Sequence, residues 1–263
     1  MNEIKTIKKG DANIDYGIIH GGEKAFIMLP GISLTSILNN IDAIEVAYQE
    51  ILKEYTIYVF DHAMPENDDF SFDELIDYLI YVIEEIGIKK ACIYGVSIGG
   101  MISLILSYKK PELIEKMVIV ASAAKTNVER LKVLKQWEEM SNNYDIEALN
   151  RDFFTTMFTS DYVSKNKQSL DMFIHNGSKH ECECFSRVIR TMYNFNILDN
   201  IKNVNIPTFV IGSELDPIFG RKASEEIAEA LGCDLFIYKG YSHAFYDEAP
   251  DFKHKILKWL NNK

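Results

Sequence analysis

The stretch from Ala91 to Tyr108 carries no charged residue, and it changes character in its middle. By length alone it approaches a membrane span, and Gly95-x-x-x-Gly99 is a spacing that also serves the pairing of membrane helices. Its order argues otherwise. Ala91-Cys92-Ile93-Tyr94 reads as a buried strand, the Gly-Val-Ser-Ile-Gly-Gly that follows is turn chemistry, and Ile98 to Tyr108 reads as a buried helix. A strand driven through a sharp turn straight into a helix belongs to a fold made of βα units. The turn itself, Gly95-Val96-Ser97-Ile98-Gly99, has the G-x-S-x-G form of a nucleophile elbow. The glycines have a steric reason: the turn exposes the serine oxygen, and side chains two residues either side would strike neighbouring backbone.

The remaining chain alternates in the same way. Asn13 to Ile19, Ala25 to Leu29, Thr56 to Phe60 and Lys116 to Ala121 are strand-like, while Ile37 to Leu52 has helical spacing. Phe72 to Ile86 is an amphipathic helix, with Ser71 as N-cap and Gly87 just beyond its end. Strand signals vanish from about Ala123 to Asn196, where the pattern predicts several helices rich in Trp, Tyr, Phe and Met. Alternation resumes with Pro207 to Ile211 (strand), Arg221 to Leu231 (helix), Asp234 to Tyr238 (strand) and Phe252 to Leu260 (helix). The expected fold class is α/β, a mostly parallel central sheet flanked by helices. Residues 1–122 and 197–263 would form the core. Residues 123–196 would be an inserted helical cap over the carboxyl edge of the sheet, where such folds bind ligands.

A nucleophilic serine needs a base, and the base needs an orienting acid. With an elbow of this kind they follow in the order Ser, acid, His at the ends of later strands. Thr208 to Gly212 leads into Ser213-Glu214-Leu215-Asp216, and Leu235 to Tyr238 leads into Gly240-Tyr241-Ser242-His243. Ser97, Asp216 and His243 are therefore the candidate catalytic residues, with Glu214 the rival acid and a turn role the plainer reading of Asp216 before Pro217. The other histidines (His20, His62, His175, His180, His254) do not stand in that order after a strand. An oxyanion would need backbone donors. Ile98 N–H, next after the nucleophile, is one candidate; Ile32 N–H, in the Pro30-Gly31-Ile32-Ser33 loop, is the other.

With these pieces in view, the chain resembles the α/β-hydrolase superfamily, in particular its cap-bearing branch of small bacterial esterase-like and peroxidase-like serine hydrolases. The resemblance rests on Leu29-Pro30-Gly31, Phe60-Asp61, Gly95 to Gly100, Lys110-Pro111-Glu112, Gly212 with Asp216, and Gly240-Tyr241-Ser242-His243. Two departures stand out. Pro30-Gly31 replaces the His-Gly usual in the family, and His62-Ala63-Met64-Pro65 stands where Arg-Gly often follows. The resemblance implies hydrolysis of a small-molecule carboxylic ester or thioester. Carbon–carbon bond hydrolysis, lyase, amidase or acyltransferase chemistry on the same triad, or ligand binding without turnover, are the alternatives.

Composition narrows the partners. A formal net charge of −11 lacks the basic footprint of a nucleic-acid binder and offers no attraction to anionic lipid. The start, Met1-Asn2-Glu3-Ile4-Lys5, lacks the apolar run of a signal peptide, and four cysteines are too few for a disulfide framework. A cytoplasmic protein is expected, with a small-molecule substrate and an oligomeric state left open. His180-Glu181-Cys182-Glu183-Cys184 lacks the spacing and second ligand pair of a zinc site. Neither metal nor cofactor is expected. Asn176-Gly177-Ser178 fits a glycosylation acceptor but reads as a turn without a secretory signal. Trp137, Phe153, Phe154, Met157, Phe158 and Tyr193 are candidates to line an acyl pocket, and equally to pack cap against core.

Overall fold

In a computed structural model, which describes residues 2–10, 12–61, 71–127 and 129–262, the uncharged run divides as its sequence predicts. A strand covers Ala91–Val96, Ser97 alone makes the turn, and a helix covers Ile98–Lys109. Among the described residues no helix is long and apolar enough to cross a membrane. His62 to Pro65, one of the departures noted above, lie outside the described residues.

The sheet has eight described strands: β1 (Glu3–Lys9), β2 (Ala12–Ile19), β3 (Lys24–Leu29), β4 (Tyr55–Phe60), β5 (Ala91–Val96), β6 (Ile114–Val120), β7 (Thr208–Ser213) and β8 (Asp234–Tyr238). They stand in the order β1-β2-β4-β3-β5-β6-β7-β8. β1 and β2 pair antiparallel with each other, as do β2 and β4. Every pairing from β4 through to β8 is parallel. Because the side-chain period of a strand is two, each central strand feeds two apolar layers. Ile27, Ile93, Met117, Ile119 and Val210 point to one layer, and Phe26, Tyr94, Val118, Val120 and Ile211 to the other.

Helices cover both faces. α1 (Ile41–Ala47) and the C-terminal α12 (Phe252–Leu260) lie on one, and α2 (Phe72–Ile86), α3 (Ile98–Lys109) and α10 (Arg221–Leu231) on the other. α2 starts and stops where its sequence says. Ser71 accepts from Glu74 N while the Glu74 carboxylate accepts from Ser71 N, and Gly87, at φ 84°, closes the end in left-handed conformation. Between β6 and β7 come α4 (Leu131–Asn142), α5 (Ile146–Met157), α6 (Ser160–Lys165), α7 (Lys167–Phe173), α8 (Lys179–Thr191) and the short α9 (Leu198–Ile201). The chain leaving the sheet and the chain returning pair with each other: Thr126 N donates to Phe195 O, and Ile197 N donates to Ala124 O. α11 (Phe245–Glu248) precedes α12.

Two expectations change. The helix expected over Ile37 to Leu52 is broken into a 3-10 turn, the seven-residue α1, and a second 3-10 turn at Ile51–Lys53. Asn39-Asn40 sits at the first break, where amide side chains compete for backbone groups and weaken a continuing helix. β1 was not expected at all. It is a half-exposed edge strand whose three lysines dilute the apolar signal, and it forms because β2 offers an open edge.

Candidate active site

The elbow is built from steric exclusion. Ser97 stands at φ 54° and ψ −118°, a left-handed conformation that side-chain-bearing residues avoid at a cost of about 1–3 kcal/mol. It holds because its backbone is bonded on both sides. Ser97 N donates to Val120 O of β6, and its carbonyl accepts from Gly100 N, Met101 N and the Ser122 hydroxyl, the last at 2.7 Å. A Cβ at Gly95 would stand 2.3 Å from Ser103 Oγ and 2.5 Å from Gly99 O, so glycine there is a packing requirement.

The loop after β3 lies against this turn. A Cβ on Gly31 would be 3.3 Å from Ser97 Cβ, which brings the backbone leading to Ile32 beside the serine. Ile32 and Ile98 are both buried. Ile98 N–H belongs to the first turn of α3, where helix geometry leaves the amide without an intrahelical acceptor and the helix dipole is positive.

Asp216 and His243 are brought together from the loops after β7 and β8. The carboxyl of Asp216 also accepts from Ile218 N at 2.7 Å and Phe219 N at 3.2 Å. Burial by itself would raise this carboxyl, but the His243 charge and hydrogen bond and the two backbone N–H groups outweigh it and hold it below the ordinary carboxylate range. An ionised Asp216 can only accept, so the Nδ1–H of His243 donates to its Oδ1, 2.9 Å away. The other ring nitrogen, Nε2, is buried and has no hydrogen-bond partner among the described residues. A buried nitrogen left in that state costs about 1–3 kcal/mol, which the fold bears at the edge that also carries Ser97. The hydrogen bond from Ser97 to Nε2 is therefore not made in this arrangement. Ser97 is 5% and His243 0% exposed.

Glu214, the rival acid, is exposed and its carboxylate accepts from Gly240 N at 3.1 Å. It braces the loop two residues before Ser242 and does not meet the imidazole through any hydrogen bond described here.

The aromatic candidates divide. Trp137 is buried within the helical insertion, its indole N–H donating to Asp152 at 2.8 Å and its ring packed on Phe153 and Phe185. Tyr193 is half-buried, donates its hydroxyl to Glu138 and lies under Lys135. Phe154, Phe158 and Tyr162 form a stack along α5 and α6. Met157 alone among the candidates touches the histidine loop by hydrogen bond, its carbonyl accepting from Ala244 N. His180 Nε2 and Cys184 Sγ lie 3.6 Å apart on α8, and no group of three or more His, Cys, Asp or Glu among the described residues could hold a metal ion.

Sequence reasoning missed several neighbours of the site. Phe219 packs on the His243 ring with centroids 5.8 Å apart, Ser122 donates to the Ser97 carbonyl, and Arg130 donates to Asp216 O. Only Phe219 had a local signal, an aromatic three residues after the candidate acid. The other two are long-range.

Known proteins share this arrangement of elements. The sequence family described as the alpha/beta hydrolase fold matches residues 55–172. RutD of Serratia proteamaculans, which carries the name carbamate hydrolase, is 22% identical over 79% of this chain and 82% of its own. Among solved structures, MGS-M2, an alpha/beta hydrolase enzyme from a Medee basin deep-sea metagenome library, superposes with a TM-score of 0.86, at 20% identity over 98% of both chains. The enol-lactonase of Burkholderia xenovorans LB400 gives 0.84, at 17% identity over 98% of this chain and 100% of its own. The chain has the alpha/beta hydrolase fold, and the matching family model spans the elbow.

Proposed function

We propose that this chain is a serine hydrolase cleaving a small-molecule carboxylic ester or thioester through an acyl-enzyme on Ser97. The observation that carries the reading is His243. Its Nδ1–H is held by an ionised Asp216, its Nε2 is buried and unpartnered, and it shares a sheet edge with a serine in the left-handed elbow. A neutral imidazole in that tautomer has its lone pair on Nε2, the atom a general base needs. Kinship with proteins named for carbamate hydrolysis and enol-lactone cleavage supports a carbonyl substrate.

The chemistry then balances as follows. Ser97 Oγ adds to the carbonyl carbon while its proton moves to His243 Nε2 and the carbonyl electron pair moves to oxygen. The N–H groups of Ile98 and Ile32 would donate to that oxyanion. Collapse breaks the bond to the leaving oxygen or sulfur, which takes the proton from His243. Water next gives a proton to His243 and adds to the acyl-enzyme; collapse then breaks the bond to Ser97 Oγ, which takes that proton back from His243 as the acid is released. Residues 123–196 serve as the cap over this edge, and residues 1–122 and 197–263 as the core.

Intact-mass spectrometry after treatment with a fluorophosphonate tests the reading, on wild type and Ser97→Ala in parallel. One adduct on wild type and none on the variant is the expected result, followed by turnover on a panel of esters and thioesters of graded acyl length. A folded wild type that takes no adduct overturns it. Ser97→Ala or His243→Ala should lower turnover by on the order of a millionfold.

A further inference from the structure

The loop carrying His243 is held by two different parts of the molecule, and the change of holder falls at the histidine. On its N-terminal side the sheet core does the holding. Leu215 N donates to Tyr241 O, and the Ser213 hydroxyl donates to Ser242 O at 2.7 Å. From the Ser242 hydroxyl onward the helical insertion adds partners of its own. The Ser242 hydroxyl donates to Thr156 O at 3.1 Å and Ala244 N donates to Met157 O at 2.8 Å, so consecutive carbonyls at the end of α5 bracket His243. One turn later Glu248 closes the clasp. Its two carboxylate oxygens accept from Thr159 N at 2.9 Å and from the Thr159 hydroxyl at 2.6 Å. Bonds to an ionised acceptor are roughly twice as strong as neutral ones.

The acid loop is held from the other end of the same insertion. Arg130, the residue before α4, donates from its guanidinium to the carbonyl of Asp216 at 2.7 Å. The guanidinium also lies against Gly220, where a Cβ would come within 2.5 Å of Cζ. Gly220 stands at φ 77°, so glycine there serves both backbone conformation and room for the arginine.

We propose that Arg130 and Glu248 are positioning residues, through which the helical insertion holds the Asp216 and His243 loops in the register that pairs their side chains. The insertion thus aligns the base and does not only cover the site. This rests on the serine-hydrolase reading above. Displacements near 1 Å at a catalytic group can lower rates by about a hundredfold, so the loss of either tie should be felt at the serine.

The test uses Glu248→Ala, Glu248→Gln, Thr159→Val and Arg130→Met in the full chain. Readouts are the second-order rate of fluorophosphonate labelling of Ser97, kcat and KM on an ester from the panel, and the proton NMR signal of the His243 Nδ1–H, assigned by its loss in His243→Ala. Glu248→Ala and Arg130→Met are expected to slow labelling and lower kcat by ~10- to 100-fold with KM changed less than about threefold. The Nδ1–H signal should broaden or shift, with Glu248→Gln intermediate. On a His243→Ala background, Glu248→Ala should add nothing, since a group that acts through the histidine has nothing left to position. Wild-type labelling rates with an unmoved Nδ1–H signal overturn the proposal, as does an equal loss with and without His243. Should Glu248→Ala fail to fold, Thr159→Val removes only one hydroxyl and carries the same expectations at smaller size. A wild type inert to the probe would sink the hydrolase reading alone, because the NMR signal still reports whether the ties hold the pair.

Discussion

A methyl group placed on Gly99 would stand 2.1 Å from the carbonyl oxygen of Leu29 and 2.6 Å from that of Pro30. The end of β3 and the first turn of α3 are thus in backbone contact, and neither side can yield without moving the elbow or the loop that approaches Ser97. Gly99→Ala should destabilise the fold by about 2–4 kcal/mol, or leave little folded protein. Gly87→Ala is the control: it has the positive φ that Gly99 lacks, but open space where its Cβ would go, and should cost about 1 kcal/mol. Denaturant unfolding of the two variants separates close contact from backbone conformation; equal losses would mean that the Gly99 contact relaxes.

Asp216 and Glu214 stand two residues apart and make opposite predictions. Asp216→Asn keeps the shape but removes the charge that orients His243, and should lower kcat by about ten-thousandfold. Glu214→Gln should change kcat less than about threefold, because an amide oxygen can still accept from Gly240 N. Steady-state kinetics on a single ester decides between them, and a large loss confined to Glu214→Gln would reassign the acid.

Acid should weaken the protein partly through Asp216. Its carboxyl binds protons less readily in the folded chain than in the unfolded chain, where a value of about 3.9 is ordinary. A depressed carboxyl stabilises the fold above that unfolded value, and the contribution is lost as pH falls through the folded one. Thermal unfolding between neutral pH and pH 3 should therefore fall less steeply in Asp216→Asn than in wild type. Parallel curves would assign the acid sensitivity to other groups.

Ser122→Ala removes one of three donors to the Ser97 carbonyl and leaves the amides of Gly100 and Met101. The expected loss is about 0.5–1.5 kcal/mol of stability. Labelling by a fluorophosphonate should slow by less than tenfold, since the elbow keeps its glycines and its bond to Val120. Loss of labelling altogether would show that Ser122 does more than steady the turn.

Much of the candidate site could be read from the sequence because the rules it rests on are local. The elbow needs small residues at fixed offsets from Ser97, and both the strand before it and the helix after it are written in contiguous apolar residues. Asp216 and His243 could be chosen because each follows an apolar strand, and parallel strands deliver their carboxyl ends to one edge. The caps of α2, Ser71 and Gly87, obey equally short-range chemistry. For the same reason β1 escaped notice. Its pattern is weak by itself, and only the open edge of β2 makes it a strand.

What tertiary structure alone decided are the contacts that join distant segments. Arg130 reaches a carbonyl 86 residues away, and Glu248 meets Thr159 across 89. These bonds leave no periodic trace, because a backbone carbonyl is the same acceptor at every position and any arginine could reach one. The aromatic residues of the insertion show the same limit. Trp137 could have faced a substrate or a neighbouring helix with identical sequence signal, and only packing against Phe153 and Phe185 put it inside. Local sterics specify the turn that presents a serine, whereas the alignment of its partners depends on how separate elements close on one another.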